Sequence, residues 1–176
     1  MDHVTLAGDL FLEGFNCAQA VAVAFCDVTA LTEIQAARMA SAFGGGMGRM
    51  REVCGAVSGM FMVLGLLYGY DDPKADDTKK KLYTDVQALA GQFKAEAGSI
   101  ICRDILKNPP SDPSPSPRTA EYYAMRPCER MVYNAAAFAL CHLHDFKKNR
   151  YKNIDFSERP CIMGLVRINP KNKIKN

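Results

Sequence analysis

Apolar residues recur at helical spacing along most of the chain, and nothing before Lys147 shows the sustained alternation of a strand, which predicts an all-α fold. Leu6, Leu10, Ala18, Val21 and Phe25, widened by Phe11, Phe15 and Ala22, predict one helix over 2–26. Thr32 followed by Gln35 is a capping box that opens a second helix, to about Phe43. Gly44, Gly45, Gly46 and Gly48, with Arg49, then break the pattern. A third helix is expected from about Arg51 to Tyr68, followed by an Asp71-Asp72-Pro73 turn. A fourth opens near Asp76 or Asp77, carries Leu82, Val86, Leu89, Ala90 and Phe93 on one face, and ends at Gly98. Ser99 is read as the cap of a short helix through Leu106. Five prolines between Asn108 and Pro117 make an extended loop. The last helix runs from about Pro127 to His144, with proline in the first turn, where its missing N–H costs nothing.

These elements predict a single helical bundle of about five helices with a glycine-rich corner, a proline-rich loop and an irregular basic C-terminal tail. The helical domain is expected over 1–146. The tail, 147–176, is expected not to fold independently, although Cys161 to Ile168 could form a short strand. A chain of 176 residues is long enough for one core of this kind.

Composition excludes several classes. With 48% hydrophobic and 23% charged residues the chain is not disordered overall. The net charge of +3 hides an asymmetry: 147–176 holds nine Lys/Arg against two acids, whereas 1–146 holds 13 against 17. That bias is too small for dedicated nucleic-acid binding, so no specific nucleic-acid partner is expected. Val53 to Tyr70 is uncharged over 18 residues, near the length of a membrane span. Its glycines suit the central helix of a bundle, hydrophobic all round, and no membrane partner is expected. Seven cysteines are too few for a disulfide scaffold. Met1 to Leu6 lacks the basic and apolar regions of a secretory signal, so a reducing cytoplasm is expected.

Four cysteines carry the candidate chemistry. Cys54 follows the glycine corner, Cys102 lies three residues after Ser99, and Cys128 follows Pro127. Each falls near an expected helix start, where unpaired N–H groups and roughly half a positive charge favour an anion. Each also has arginine nearby: Arg49 and Arg51, Arg103, and Arg126 with Arg130. Such surroundings lower a thiol pKa, and the thiolate is both nucleophile and metal ligand. Cys17 is expected mid-helix, facing the others across the core. Against this stands plain packing, since cysteine behaves as a small hydrophobe. Cys26, Cys141 and Cys161 are expected to be packing or surface thiols. No C-x-x-C occurs, and Cys141, His142 and His144 do not share one helix face, so neither makes a convincing metal motif.

The glycine corner lacks the Gly-Lys-Ser/Thr of a phosphate loop and the preceding strand of a dinucleotide fold. It is either a nest of N–H groups that cradles an anion or a cofactor, involving Gly44, Gly45, Gly46, Gly48 and Arg49, or a tight helix–helix corner. Gly55 and Gly59, four apart, let a flat group or a partner helix approach; close helix packing is the plainer reading. Glycine-bearing faces would also let copies of the chain pair as a homo-oligomer.

Taken together these segments resemble the redox-active family C_GCAxxG_C_C. The resemblance is carried by Asn16-Cys17-Ala18-Gln19-Ala20-Val21, by Phe43 to Arg49 leading into Val53-Cys54-Gly55-Ala56-Val57-Ser58-Gly59, by Gly98 to Leu106 around Cys102, and by Cys128. It spans roughly residues 8–142 and leaves the tail outside. It implies a helical bundle similar to the N-terminal region of split-Soret cytochromes, with Cys17, Cys54, Cys102 and Cys128 as the functional set. The haem-attachment motif C-x-x-C-H is absent, which argues against covalent c-type haem.

Three functions follow as expectations. In the first, the four cysteines converge and act by thiol/disulfide exchange or electron transfer, as in a thiol-dependent oxidoreductase, with a redox partner protein or small molecule. Cys54 is then expected to be the most reactive, because it joins a glycine corner, a helix start and two arginines, and Cys102 or Cys128 would resolve the disulfide. In the second, Cys17, Cys54, Cys102 and Cys128 ligate an iron–sulfur cluster or zinc. In the third, the cysteines only pack.

Overall fold

The computed structural model describes residues 2–149. Among them are nine α-helices and no strand. They are α1 (His3–Leu12), α2 (Cys17–Ala24), α3 (Cys26–Thr29), α4 (Glu33–Ala40), α5 (Gly55–Tyr68), α6 (Asp76–Ala97), α7 (Cys102–Ile105), α8 (Ala120–Met125) and α9 (Cys128–Asn149). The all-α class is as expected, with more and shorter helices than the five anticipated. The chain divides into two units, Met1–Leu140 and Cys141–Asn176. The first holds α1 to α8 and the opening of α9. Of the second, only the end of α9 lies among the described residues, and the tail, Cys161 and the strand considered at Cys161 to Ile168 lie outside them.

The core is built around α2 and α5. Every residue of α2 except Gln19 is buried, because α5 covers one side and α1 and α4 pack on it as well. A helix enclosed in this way needs small side chains, and α2 supplies four alanines with Cys17 and two valines. Ala56, Val57, Met60, Val63 and Leu64 of α5 are all buried, and α6 packs against α5, burying Leu89 and Phe93. α5 has 14 residues, and no helix among the described residues is long and apolar enough to cross a membrane.

The helix expected over 2–26 is broken, and the break matters for the site. Gly14 adopts φ +109°, a conformation open chiefly to glycine. Asn16 then opens α2 with a capping box: its Oδ1 accepts from the N–H groups of Ala18 (2.9 Å) and Gln19 (3.0 Å), and Gln19 Oε1 accepts from Asn16 N–H at 3.0 Å. Cys17 is therefore the first residue of a helix rather than a mid-helix residue.

The third helix begins later than expected. Gly45, Gly46, Met47, Gly48 and Arg49 all have positive φ, as does Arg51, so the chain makes a left-handed turn there. Residues 52–54 next pair with 100–102 through the isolated antiparallel bridge Val53–Ile101. Cys54 N–H donates to Ile100 O (2.8 Å) and Cys102 N–H to Glu52 O (2.6 Å). Only then does α5 start, with Cys54 as its N-cap residue. Farther on, α6 matches its expected limits, closing at Gly98 with φ +82°. The short helix shrinks to α7, with Ile101 in the N-cap position; Ser99 stands two residues earlier, its Oγ accepting from Ile101 N–H (3.0 Å) and donating to Asp104 of α7 (2.7 Å). α8 was not expected; Thr119 caps it, accepting from Tyr122 N–H at 3.3 Å.

Candidate functional site

All four cysteines of the set stand at helix starts: Cys17, Cys102 and Cys128 are the first residues of α2, α7 and α9, and Cys54 caps α5. All four line one cavity of about 330 Å3. The side chains come from four separate stretches of chain, so convergence is a property of the fold and not of local sequence. The described cysteines are all free thiols. Cys26 lies outside the cavity, on α3.

Glycines let these helix starts meet. A Cβ on Gly55 would lie 2.9 Å from Phe43 O and 3.2 Å from the Cys17 Cβ, so only glycine lets α5 begin against the start of α2. A Cβ on Gly46 would lie 2.6 Å from that of Cys102. Of the glycines considered for a ligand, Gly44, Gly45, Gly48 and Gly55 line the cavity together with Arg49. Gly46 and Gly59 do not; Gly46 makes room for Cys102, and Gly59 for α2. The corner is also less of an open nest than expected, because Met47 N–H donates to Phe43 O and Arg49 N–H to Gly44 O, each at 3.2 Å.

The cavity wall is positive. Arg49, Arg51, Arg118 and Arg126 line it, and among the described residues no Asp or Glu does. Arg49 binds the proline-rich segment: Nε donates to Asp112 O (2.7 Å), Nη1 to Ser116 Oγ (3.1 Å), and Nη2 is 3.5 Å from the Asp112 carboxylate. Arg51 is buried; its Nε donates to Pro110 O at 2.9 Å and its Nη1 to Gly45 O at 3.4 Å. Arg118 lies 4.8 Å from the Tyr122 ring centre, and Arg126 lies 4.6 Å from the same ring. Tyr122 is thus a platform for two cations. Arg118, Tyr122 and Arg126 recur every four residues, and that spacing is the signal in the sequence for this part of the wall.

The four thiols differ in charge state. A hydrogen bond from the Cys17 thiol lowers the Cys128 pKa to about 7, against burial and with help from Arg126, Arg118 and Arg51. The same hydrogen bond, joined by burial, raises the Cys17 thiol well above its ordinary value. Burial pushes Cys54 up to about 12, although the N–H groups of Ala56 and Val57 act in the other direction. Burial also raises Cys102, opposed by Arg51. The glycine corner and its arginines thus do not leave Cys54 ionised: it is sealed from water, while the guanidinium of Arg51 acts on Cys102.

Among the described residues no three His, Cys, Asp or Glu side chains are placed to hold a metal ion. The four sulfurs share the cavity without forming a ready ligand set, and the same holds for Cys141, His142 and His144.

The chain is thus an all-α protein whose helix starts bring four thiols to one cavity. It is a member of the family described as "Putative redox-active protein (C_GCAxxG_C_C)", whose model matches residues 15–140. The matched region contains Cys17, Cys54, Cys102 and Cys128 and stops short of the basic tail. No curated protein and no solved structure matches the chain.

Proposed function

We propose that the protein is a dithiol redox protein in which Cys128 is the attacking thiolate and Cys17 its resolving partner. The observation that carries this reading is that Cys17 and Cys128, at the starts of α2 and α9, line one cavity beside Arg118 and Arg126, a setting in which the Cys128 thiol is lowered to about 7 and that of Cys17 is raised. An attacking thiol is most effective with a pKa near the ambient pH. Cys128 meets that condition and Cys54 does not.

The Cys128 thiolate attacks one sulfur of a partner disulfide and forms a mixed disulfide, and the first partner thiolate leaves. Cys17 is held protonated by its hydrogen bond to Cys128 and by burial, and that hydrogen bond is lost when Cys128 enters the mixed disulfide. Cys17 then gives its proton to the partner thiolate that has left and attacks the Cys128 sulfur. The second partner thiolate leaves and a Cys17–Cys128 disulfide remains. The partner has gained two electrons, and a reduced dithiol restores the protein by the reverse exchange. Cys54 and Cys102 are brought to the same cavity by the pairing of 52–54 with 100–102, as a second pair able to take up the disulfide. A reducing cytoplasm would keep such a dithiol in its active form.

Alkylation of the reduced protein at pH 5 to 9, read cysteine by cysteine by mass spectrometry, tests this. Cys128 is expected to label with a midpoint near its pKa of about 7, and limited oxidation is expected to yield a Cys17–Cys128 bond. Labelling of Cys128 no faster than that of Cys26, or oxidation that never joins the two, would overturn the reading. So would anaerobic protein that carries stoichiometric zinc, or iron with a cluster absorption, on these cysteines.

A further inference from the structure

Arg51 is only 2% exposed, and its Nη2 is a buried donor with no hydrogen-bond partner. A buried guanidinium without a countercharge is costly, by several kcal/mol for an ion taken out of water. Among the described residues no carboxylate lines the cavity, so the Cys128 thiolate is the one negative group set against Arg51, Arg118 and Arg126. Arg118 and Arg126 stand on Tyr122 and have no carboxylate partner among the described residues. Arg49 differs, because Asp112 already neutralises it. Three cations with unspent hydrogen-bonding capacity therefore face a space that also holds the sulfurs. Guanidinium groups hold carboxylates through paired N–H donors. At about 330 Å3 the space suits a small molecule and not a protein side of any size.

We propose that the cavity selects a small anionic disulfide, whose carboxylates are held by Arg51, Arg126 and Arg118 while its sulfur–sulfur bond meets Cys128. This names the substrate class of the site and rests, for its reaction only, on the dithiol reading above. One disulfide and two protein thiols give two small thiols and the Cys17–Cys128 disulfide, as in the exchange already described.

Three small disulfides of similar length separate charge from reactivity: dithiodipropionate with two carboxylates, bis(2-hydroxyethyl) disulfide with none, and cystamine with two ammonium groups. Each rate of reduction by the reduced protein is divided by the rate with free dithiothreitol. The dicarboxylate is expected to lead the neutral compound by about tenfold or more at low salt, with cystamine slowest, and the lead is expected to shrink as salt is added. Arg126→Gln, at a half-exposed position, is expected to lower the ratio of dicarboxylate to neutral rate several-fold, and Arg51→Gln to lower it further. Unfolded chain exposes unselective thiols that pull the ratio toward one, so the ratio is read only on variants whose circular dichroism matches the parent, and Arg126→Gln decides where Arg51→Gln does not fold. Equal normalised rates for all three compounds, or a lead for cystamine, overturn the proposal and leave the dithiol reading standing. If none is reduced, calorimetry of dithiodipropionate on the Cys128→Ser protein decides. Binding that Arg126→Gln weakens upholds the anion site and removes the reaction; no binding removes both.

Discussion

A methyl group on Gly59 would lie 2.7 Å from the carbonyl oxygen of Ala18, so α5 crosses α2 with backbone against backbone. Neither helix can yield easily, since Val21 Cβ stands 3.0 Å from the same point and both helices are buried where they cross. Gly59→Ala is therefore expected to destabilise the protein by roughly 1–3 kcal/mol in urea unfolding under reducing conditions, despite the better helix propensity of alanine. Gly91 in α6 is exposed and meets nothing within 4 Å, so Gly91→Ala is expected to stabilise by about 0.5–1 kcal/mol. Equal responses at the two positions would remove close helix contact as the reason for Gly59.

The Cys17 thiol is the largest influence holding Cys128 ionised. Cys17→Ala removes that donor, and the midpoint of Cys128 alkylation is expected to rise from about 7 toward the ordinary thiol range. Cys17→Ser keeps a donor, as a hydroxyl, and is expected to retain most of the depression. The sign also applies to folding. A thiol depressed in the folded state contributes stability above its unfolded pKa, and that contribution is lost as pH falls through about 7. An unchanged midpoint in both variants would assign the depression to the arginines alone.

Cys54 behaves in the opposite sense. Its thiol is raised to about 12 by burial, so the folded protein keeps a proton that the unfolded chain gives up at lower pH. Its contribution is complete below the unfolded pKa and is lost as pH rises toward 12. Stability is therefore expected to fall on the alkaline side, and Cys54→Ala is expected to flatten that fall while costing some stability at neutral pH. Unfolding free energies at pH 7, 9 and 10.5, compared between the two proteins, check this. Parallel declines would mean that Cys54 ionises freely in the fold.

Helical periodicity, the Thr32–Gln35 box and the Gly98 stop were legible because each is a local signal; α4 and α6 stand where those signals put them. The Asn16–Gln19 box is equally local, but the apolar stripe running through it reads as one helix, which would set Cys17 mid-helix. The family pattern named the four cysteines, and the fold brings all four to one cavity. Which of them is ionised was not legible. That depends on the Cys17–Cys128 contact between residues 111 positions apart and on the burial of Cys54, both products of tertiary packing. The left-handed turn at 45–49 was hinted at by its glycines, yet Met47, Arg49 and Arg51 also take positive φ, and no local preference of those residues predicts that.

Arg49 ties the glycine turn to the proline-rich segment through Asp112 and Ser116, which covers one side of the thiol cavity. Its φ of +66° costs an L-residue about 1–2 kcal/mol, a cost that glycine does not bear. Two variants therefore separate the tether from the backbone. Arg49→Ala loses the tether and keeps the strained turn, so it is expected to be less stable by about 1 kcal/mol, since an ion pair of this exposure contributes little more. Arg49→Gly loses the tether and the strain together, and is expected to stay within about 1 kcal/mol of the parent. Both are expected to speed proteolysis within 108–117 and alkylation of Cys102, by roughly three- to tenfold, because the segment then opens without global unfolding. Faster labelling in Arg49→Ala alone would trace the effect to lost stability, and unchanged labelling in both would show that Arg49 does not hold the segment over the thiols.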